Sequence, residues 1–288
     1  MEIIRDVKQL QRILQIKRAD GRRVGFVPTM GALHAGHLSL VRASNRENDI
    51  TVVSIFVNPT QFGPNEDFEK YPRVLCRDQQ LLAKARTDYL FYPSVKTMYP
   101  EGLAKPLKIK GAKWPRLAKG LCGKFRPGHF QGVVTVVAKL LSAVGSCRLY
   151  LGAKDYQQAA VIRQMVKDLK INVQVRIRPT VREEDGLAMS SRNRYLSSDE
   201  RRRALAISRV LFGLKRDLKN KEGTVPGLKA AARRVLAKSV DRVQYFEVVD
   251  PKTLVPVKRY RSKMAVLAAC FVGKTRLIDN VIIPRSDN

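Results

Sequence analysis

No stretch of this 288-residue chain approaches the roughly 20 uninterrupted apolar residues that a membrane-spanning helix needs. Its opening, MEIIRDVKQL, is too acidic and amphipathic for a signal peptide, so a cytoplasmic protein with no membrane association is expected. Cys-x-x-Cys pairs are missing too. The four cysteines, Cys76, Cys122, Cys147 and Cys270, are widely scattered, which argues against a disulfide framework or a zinc ribbon and for free buried thiols. Internal repeats, low-complexity tracts and the signatures of helix-turn-helix, zinc-finger or RNP modules are absent. Histidine is scarce at three, and acidic residues number 25 against 55 Lys plus Arg, a formal net charge of +30. What remains is a chain of 44% hydrophobic composition, enough for a substantial core in one large or two ordinary domains.

Such a charge is more typical of a nucleic-acid binder than of a small-molecule enzyme. The basic residues, however, are spread through RADGRR, LKIKGAK, DERRRALAISR and VKRYRSK rather than gathered in one arm. A solvated basic surface with weak, non-specific affinity for nucleic acid is the expectation.

Apolar runs alternate with helical patterns over the first 180 residues. VGFVP (24–28), ITVVSIFVNP (50–59), YLFYP, RLYLG and VQVRIRP read as strands. HLSLVRASNREN (37–48), DQQLLAKART, GVVTVVAKLLSAVG and DYQQAAVIRQMVKDL read as the helices between them. This alternation predicts an α/β domain with a parallel sheet covered on both faces, whose ligands bind beyond the carboxyl ends of the strands. Polar segments leave four of those ends: PTMGALHAGH, NPTQF, GAKDYQQ and RPTVREEDGLAMSSRN.

Two of the three histidines, His34 and His37, stand in the first segment, with His37 expected to open a helix and Gly36 to let a ligand approach the backbone. Imidazoles at a helix start suit phosphate oxygens, whereas two ligands without a nearby Cys or carboxylate make a poor metal site. In GAKDYQQ, Lys154 reaches phosphate, and Asp155 either caps the next helix or holds a ribose hydroxyl. Ser190, Ser191 and Arg192 offer two hydroxyls and a guanidinium for pyrophosphate, or form an ordinary serine turn before a helix. Asn58, Gln61 and Gln158 are neutral amides suited to a polar, uncharged substrate end, or satisfied loop amides.

Taken together, PTMGALHAGHLSLV, VVSIFVNPTQF, YPR, RPGHFQGV, GAKDYQQ and VREEDGLAMSSRNRYL resemble, in order and spacing, the signatures of the pantoate–β-alanine ligase family of the nucleotidyltransferase superfamily. The resemblance runs to RLIDN near the end of the chain. It implies a Rossmann-like amino-terminal domain, a smaller α+β carboxyl-terminal lid, a homodimer, and magnesium-assisted, ATP-dependent joining of pantoate to β-alanine through a pantoyl adenylate. By the same resemblance His34 and His37 stabilise charge on the triphosphate, Lys154 and Arg192 grip phosphates, and Ser190 and Ser191 hold the leaving pyrophosphate. Met30, Gly36, Asp155 and Met189 contact the nucleotide; Asn58, Gln61 and Gln158 hold pantoate; Arg126 and His129 line the site near the β-alanine step.

Two departures bear on the metal. Ala153 replaces the acid usual in the family's G-E-K-D turn, and Arg77 precedes Asp78 where two neighbouring acids are common; either Asp78 is left as the expected magnesium ligand, or position 77 lies outside the site and its arginine belongs to the generally basic surface. Beyond about residue 181 the pattern changes to polar helices followed by VQYFEVVD, MAVLAACFV and RLIDNVII, so the expected domains are 1–180 and 181–288. A non-catalytic nucleic-acid binder keeping the fold is the alternative: the charge, Ala153 and Arg77 favour it, while both histidines, Lys154 and the Ser-Ser-Arg triplet oppose it.

Overall fold

A computed structural model describes residues 1–64, 66–103 and 106–284. They form two compact units, one of Met1–Lys119, Arg126–Ala153 and Gln158–Pro179, the other of Gly120–Phe125, Lys154–Gln157 and Thr180–Asn288. The last four residues of the expected second domain lie outside the described residues. Among the described residues no helix is long and apolar enough to cross a membrane.

The first unit is a six-stranded, wholly parallel sheet of β1 (Glu2–Ile4), β2 (Val24–Thr29), β3 (Ile50–Ile55), β4 (Tyr89–Phe91), β5 (Cys147–Gly152) and β6 (Val173–Arg178). Its order is β1-β4-β3-β2-β5-β6. Every residue of β3 is buried, as a continuous β-branched run in a sheet covered on both faces requires. The covering helices of this unit include α1 (Val7–Ala19), α2 (Ala35–Glu47) and α3 (Leu75–Lys84), and Leu40, Val41 and Leu82 pack in one cluster with Val27, Val53 and Leu90 of the sheet. This is the Rossmann-like arrangement expected, with one strand more and with α1 and some short helices that the sequence reading did not give: β1 is three residues long, too short for a period-2 signal, and exists through its pairing with β4.

The strand order decides where a ligand fits. From β2 the chain steps to β3 and then β4, and later lays β5 and β6 on the other side of β2. That reversal is the topological switch point of the sheet, where a crevice opens beyond the carboxyl ends of the strands. The loop leaving β2 carries His34.

Three short helices follow, α4 (Val95–Met98), α5 (Trp114–Ala118) and α6 (Cys122–Phe125), then α7 (His129–Val144) and α8 (Tyr156–Asp168). The sequence places the start of α7 at Gly132; the helix begins three residues earlier because Gly128, at φ +79°, turns the chain into it. Gly132 itself allows a close approach, since a Cβ there would lie 2.2 Å from the carbonyl oxygen of Thr60.

In the second unit α9 (Ser198–Asn220) and α10 (Val225–Ala237) precede an antiparallel sheet β7 (Arg242–Val249), β8 (Met264–Val272), β9 (Thr275–Ile283) in that order. A capping box between Ser197 and Glu200 starts α9. Its buried stripe, Ala204, Ile207, Leu211, Leu214 and Leu218, packs in one core with Val266, Ala268 and Cys270 of β8. The α+β character expected from helices followed by strands is present. Two early segments also join this unit: Gln157 donates to the Gly120 carbonyl at 2.8 Å and accepts from the Cys122 amide at 2.9 Å, and Tyr156 donates to the Pro251 carbonyl at 3.0 Å.

Thiol reactivity reports this packing. Burial pushes the Cys147 and Cys270 thiols up to about 12, and Cys122 is buried, whereas Cys76 is exposed. An aromatic disulfide reagent at neutral pH is expected to titrate one thiol rapidly in the native chain and all four cysteines after unfolding. A second fast native thiol would contradict the fold.

Candidate active site

The loop between β2 and α2 is bent by two consecutive left-handed residues, Gly31 at φ +81° and Ala32 at φ +50°. Such a conformation is costly for alanine and persists only where its surroundings enforce it. Asp78, on the first turn of α3, supplies that force: its Oδ2 accepts the Ala32 N–H and its Oδ1 the Leu33 N–H, each at 2.8 Å. Thr29 adds a third tie, accepting the Gly31 N–H at 3.2 Å while donating to the Ser54 carbonyl at 2.8 Å.

The chain then enters α2 one residue after His34. His34 is the N-cap, and His37 sits in the first turn instead of opening the helix as the sequence suggests. Both are half-buried, and their rings stack with centroids 4.0 Å apart. Two imidazoles are thus presented together at a helix amino terminus, a place that favours anions.

Asp78 therefore departs from its expected role as a magnesium ligand. It is 1% exposed, and each carboxylate oxygen accepts a backbone amide. Magnesium favours an open octahedral shell of water, phosphate and one or two carboxylates. Among the described residues no group of three His, Cys, Asp or Glu side chains stands where it would hold a metal ion. Arg77 is exposed on α3. These residues do not fit a protein magnesium site.

A second element of the first unit lies beside the histidine loop. β3 ends at Ile55, four residues before the sequence suggests, and a 3-10 turn, Pro59–Gln61, follows. There Gln61 Nε2 lies 2.7 Å from Met30 Sδ. Asn58, expected to bind substrate, is instead 1% exposed and fully engaged. Its Oδ1 accepts from Tyr99 Oη at 2.8 Å and Thr60 Oγ1 at 3.1 Å, and its Nδ2 donates to the Gly132 carbonyl and to Gln61 Oε1, both at 3.3 Å. Burial raises the Tyr99 phenol above its usual value, so it stays protonated and donates. Asn58 thus holds the turn that presents Gln61. Gln158 is half-buried in the first turn of α8.

Arg126 and His129 stand behind the same turn. Glu66 receives Arg126 Nε at 2.6 Å and Nη2 at 2.5 Å. Arg126 Nη1 lies 2.9 Å from His129 Nε2, and His129 Nδ1 lies 2.8 Å from the Gln61 carbonyl oxygen.

In the second unit Lys154 and Asp155 lie on the 3-10 turn after β5, with Lys154 Nζ 3.7 Å from Asp155 Oδ1, and no side-chain cap bond ties Asp155 to α8 among the described contacts. Asn280 donates to the Lys154 carbonyl at 2.8 Å. Ser190 caps a second 3-10 turn, Ser191–Tyr195, accepting the Arg192 N–H at 3.3 Å; Met189, Ser190 and Arg192 are half-buried and Ser191 is buried. Four residues not singled out by the sequence position this segment. Asp279, 4% exposed, binds Arg182 through both oxygens at 2.7 and 2.9 Å, and Asn193 spans Glu183 at 2.6 Å and the Ala188 carbonyl at 3.1 Å. In the first unit, an isolated glycine inside the helical pattern, Gly132, is a local signal of the close approach of Thr60.

A family model described as pantoate-beta-alanine ligase matches residues 2–282. The pantothenate synthetase of a Sulfurihydrogenibium species is 50% identical over 283 residues, 98% of this chain and 99% of its own. A crystal structure of pantothenate synthetase from Thermus thermophilus has a TM-score of 0.91 at 44% identity, covering 99% of this chain and 100% of that one. A pantoate-beta-alanine ligase from Francisella tularensis, complexed with beta-gamma ATP and beta-alanine, has a TM-score of 0.77 at 38% identity over 98% of each chain. The chain belongs to the pantoate–β-alanine ligase family, and it is a ligase that forms a carbon–nitrogen bond.

Proposed function

We propose that the chain condenses pantoate with β-alanine in two steps at the expense of ATP, taken as its magnesium salt. A carboxylate is a poor acyl donor. In the first step a pantoate carboxylate oxygen attacks the α-phosphorus, the bond to the bridging oxygen breaks, and pyrophosphate leaves. In the second the β-alanine nitrogen attacks the acyl carbon, the carbon–oxygen bond to AMP breaks, and the nitrogen loses a proton.

The observation that carries this reading is the meeting of Gln61 with Met30, 2.7 Å apart. It sets a neutral amide for pantoate hydroxyls against the loop whose histidines suit a polyphosphate. Both reactants are anions, so the chief work is to hold them in line and offset their repulsion. His34 and His37 donate to the triphosphate as charge grows on it, and Lys154, Ser190, Ser191 and Arg192 hold phosphate and departing pyrophosphate. Asp155, Gly36 and Met189 contact the nucleotide, and Gln158 joins Gln61 on pantoate. A cytoplasmic homodimer completes the proposal, supported by the family resemblance.

Pantoate-dependent exchange of labelled pyrophosphate into ATP tests the first step directly. Gln61→Ala and Gln158→Ala are each expected to raise the KM for pantoate about tenfold or more, the cost of one lost hydrogen bond at a desolvated site, with the ATP KM nearly unchanged. Absence of exchange, or equal weakening of both substrates, would sink the assignment.

A further inference from the structure

The contacts that begin at Glu66 end on a main-chain oxygen of the pantoate turn. Arg126 donates through Nε and Nη2 to both oxygens of Glu66, the paired geometry that arginine uses to grip a carboxylate. Burial raises the Glu66 carboxyl, but the hydrogen bonds and charge of Arg126 outweigh it and hold the group below its usual value. Glu66 is therefore ionised at neutral pH and occupies the paired N–H face of Arg126. Its charge offsets that of the guanidinium.

The tautomer of His129 follows from its neighbours. Arginine only donates, so His129 Nε2 accepts from Arg126 Nη1, and Nδ1 carries the proton that it donates to the Gln61 carbonyl at 2.8 Å. His129 is 8% exposed and both ring nitrogens are engaged. A carbonyl at the end of a short helical turn lacks a partner within the turn; His129 supplies the close one at 2.8 Å, and Arg126 Nη2 donates to the same oxygen at 3.4 Å. Gly132, one turn further along α7, holds the other side of the turn through Asn58.

We propose that Glu66, Arg126 and His129 form a positioning relay for the pantoate turn, acting on pantoate through Gln61 and not by contact with β-alanine. This rests on the reading of Gln61 as a pantoate ligand. An ångström of misplacement in a positioning group costs up to about 10²-fold in rate, so a chain of three side chains behind one carbonyl has a measurable consequence.

The test is steady-state kinetics on the full chain with each substrate varied, for His129→Gln, His129→Asn, Glu66→Gln and Arg126→Lys, with Gln61→Ala alongside. Asparagine places its amide near Nδ1 and keeps the donor to Gln61; glutamine places it near Nε2 and does not. His129→Gln is expected to raise the pantoate KM roughly tenfold, with kcat and the other two KM values within about twofold, while His129→Asn stays within about threefold of the parent. Glu66→Gln and Arg126→Lys follow His129→Gln, and because Glu66 lies at the far end of the relay, its variant carries the test should His129→Gln fail to fold. A selective rise in the β-alanine KM, equal behaviour of the two His129 variants, or lower thermal stability with unchanged KM values would each overturn the relay. Should Gln61→Ala leave the pantoate KM unchanged, the underlying reading falls with it; should Gln61→Ala raise it while the relay variants do not, the relay alone is wrong.

Discussion

Replacing His34 or His37 by alanine is expected to lower the rate of pantoate-dependent pyrophosphate exchange by about 10²- to 10³-fold, the usual consequence of removing one donor aimed at developing charge. The fold should survive. Neither ring belongs to the buried core, His34 makes no side-chain cap bond, and the anchoring of α2 comes from Leu33, Leu40 and Val41. Asp78→Ala is the informative contrast, because it leaves both imidazoles in the chain and removes the acceptor of two buried amides. It is expected to cost both rate and stability, the latter by about 1–3 kcal/mol for each amide left unpaired. Melting curves beside the exchange assay separate the two cases. Unchanged exchange in the histidine variants would reduce the stacked pair to local packing.

Salt is expected to change nucleic-acid affinity by a still larger factor. ATP, pantoate and pyrophosphate are anions, and a positive field raises their encounter rates, yet a few cations suffice for that. A surface of net charge +30 attracts any polyanion. Between β7 and β8, for example, Lys252, Lys258, Arg259, Arg261 and Lys263 are all exposed within one loop, and among the described ion pairs there only Arg261 meets an acid, Asp250 at 3.5 Å. Weak, sequence-indifferent binding is therefore expected, with affinity falling about 10³-fold between roughly 50 and 200 mM salt if about six phosphates are contacted. Titrations of labelled single-stranded and duplex oligonucleotides of several sequences at both salt concentrations check it. Tight, salt-resistant and sequence-selective binding would make the charge a recognition device instead of a general field.

Much of the fold was legible in the sequence because its signals are local. A β-branched run such as ITVVSI declares a buried strand, and histidine, lysine and paired serines in the segments that follow the strands make phosphate chemistry the expectation, each motif by itself having an ordinary structural alternative. Where the reading failed, the missing term was a contact across long stretches of sequence. The metal role inferred for Asp78 came from its neighbours in the chain, whereas its actual partners, Ala32 and Leu33, lie 46 and 45 residues away. Asn58, read either as a substrate amide or as a satisfied loop amide, is the second, because Tyr99 and Gly132 take up its hydrogen bonds.

Composition and spacing by themselves determined the α/β class, the basic surface and which residue types stand at the strand ends, and the motifs' resemblance to a known family pointed to the family. Only the tertiary structure decided which residues hold another in place: Asp78 under the histidine loop, Asn58 under Gln61, Glu66 behind Arg126. The physical reason is that side-chain chemistry and backbone periodicity are local properties of a chain. A carboxylate, in contrast, is committed by whichever hydrogen-bond donors the fold brings to its two oxygens, and those donors come from segments far apart in sequence.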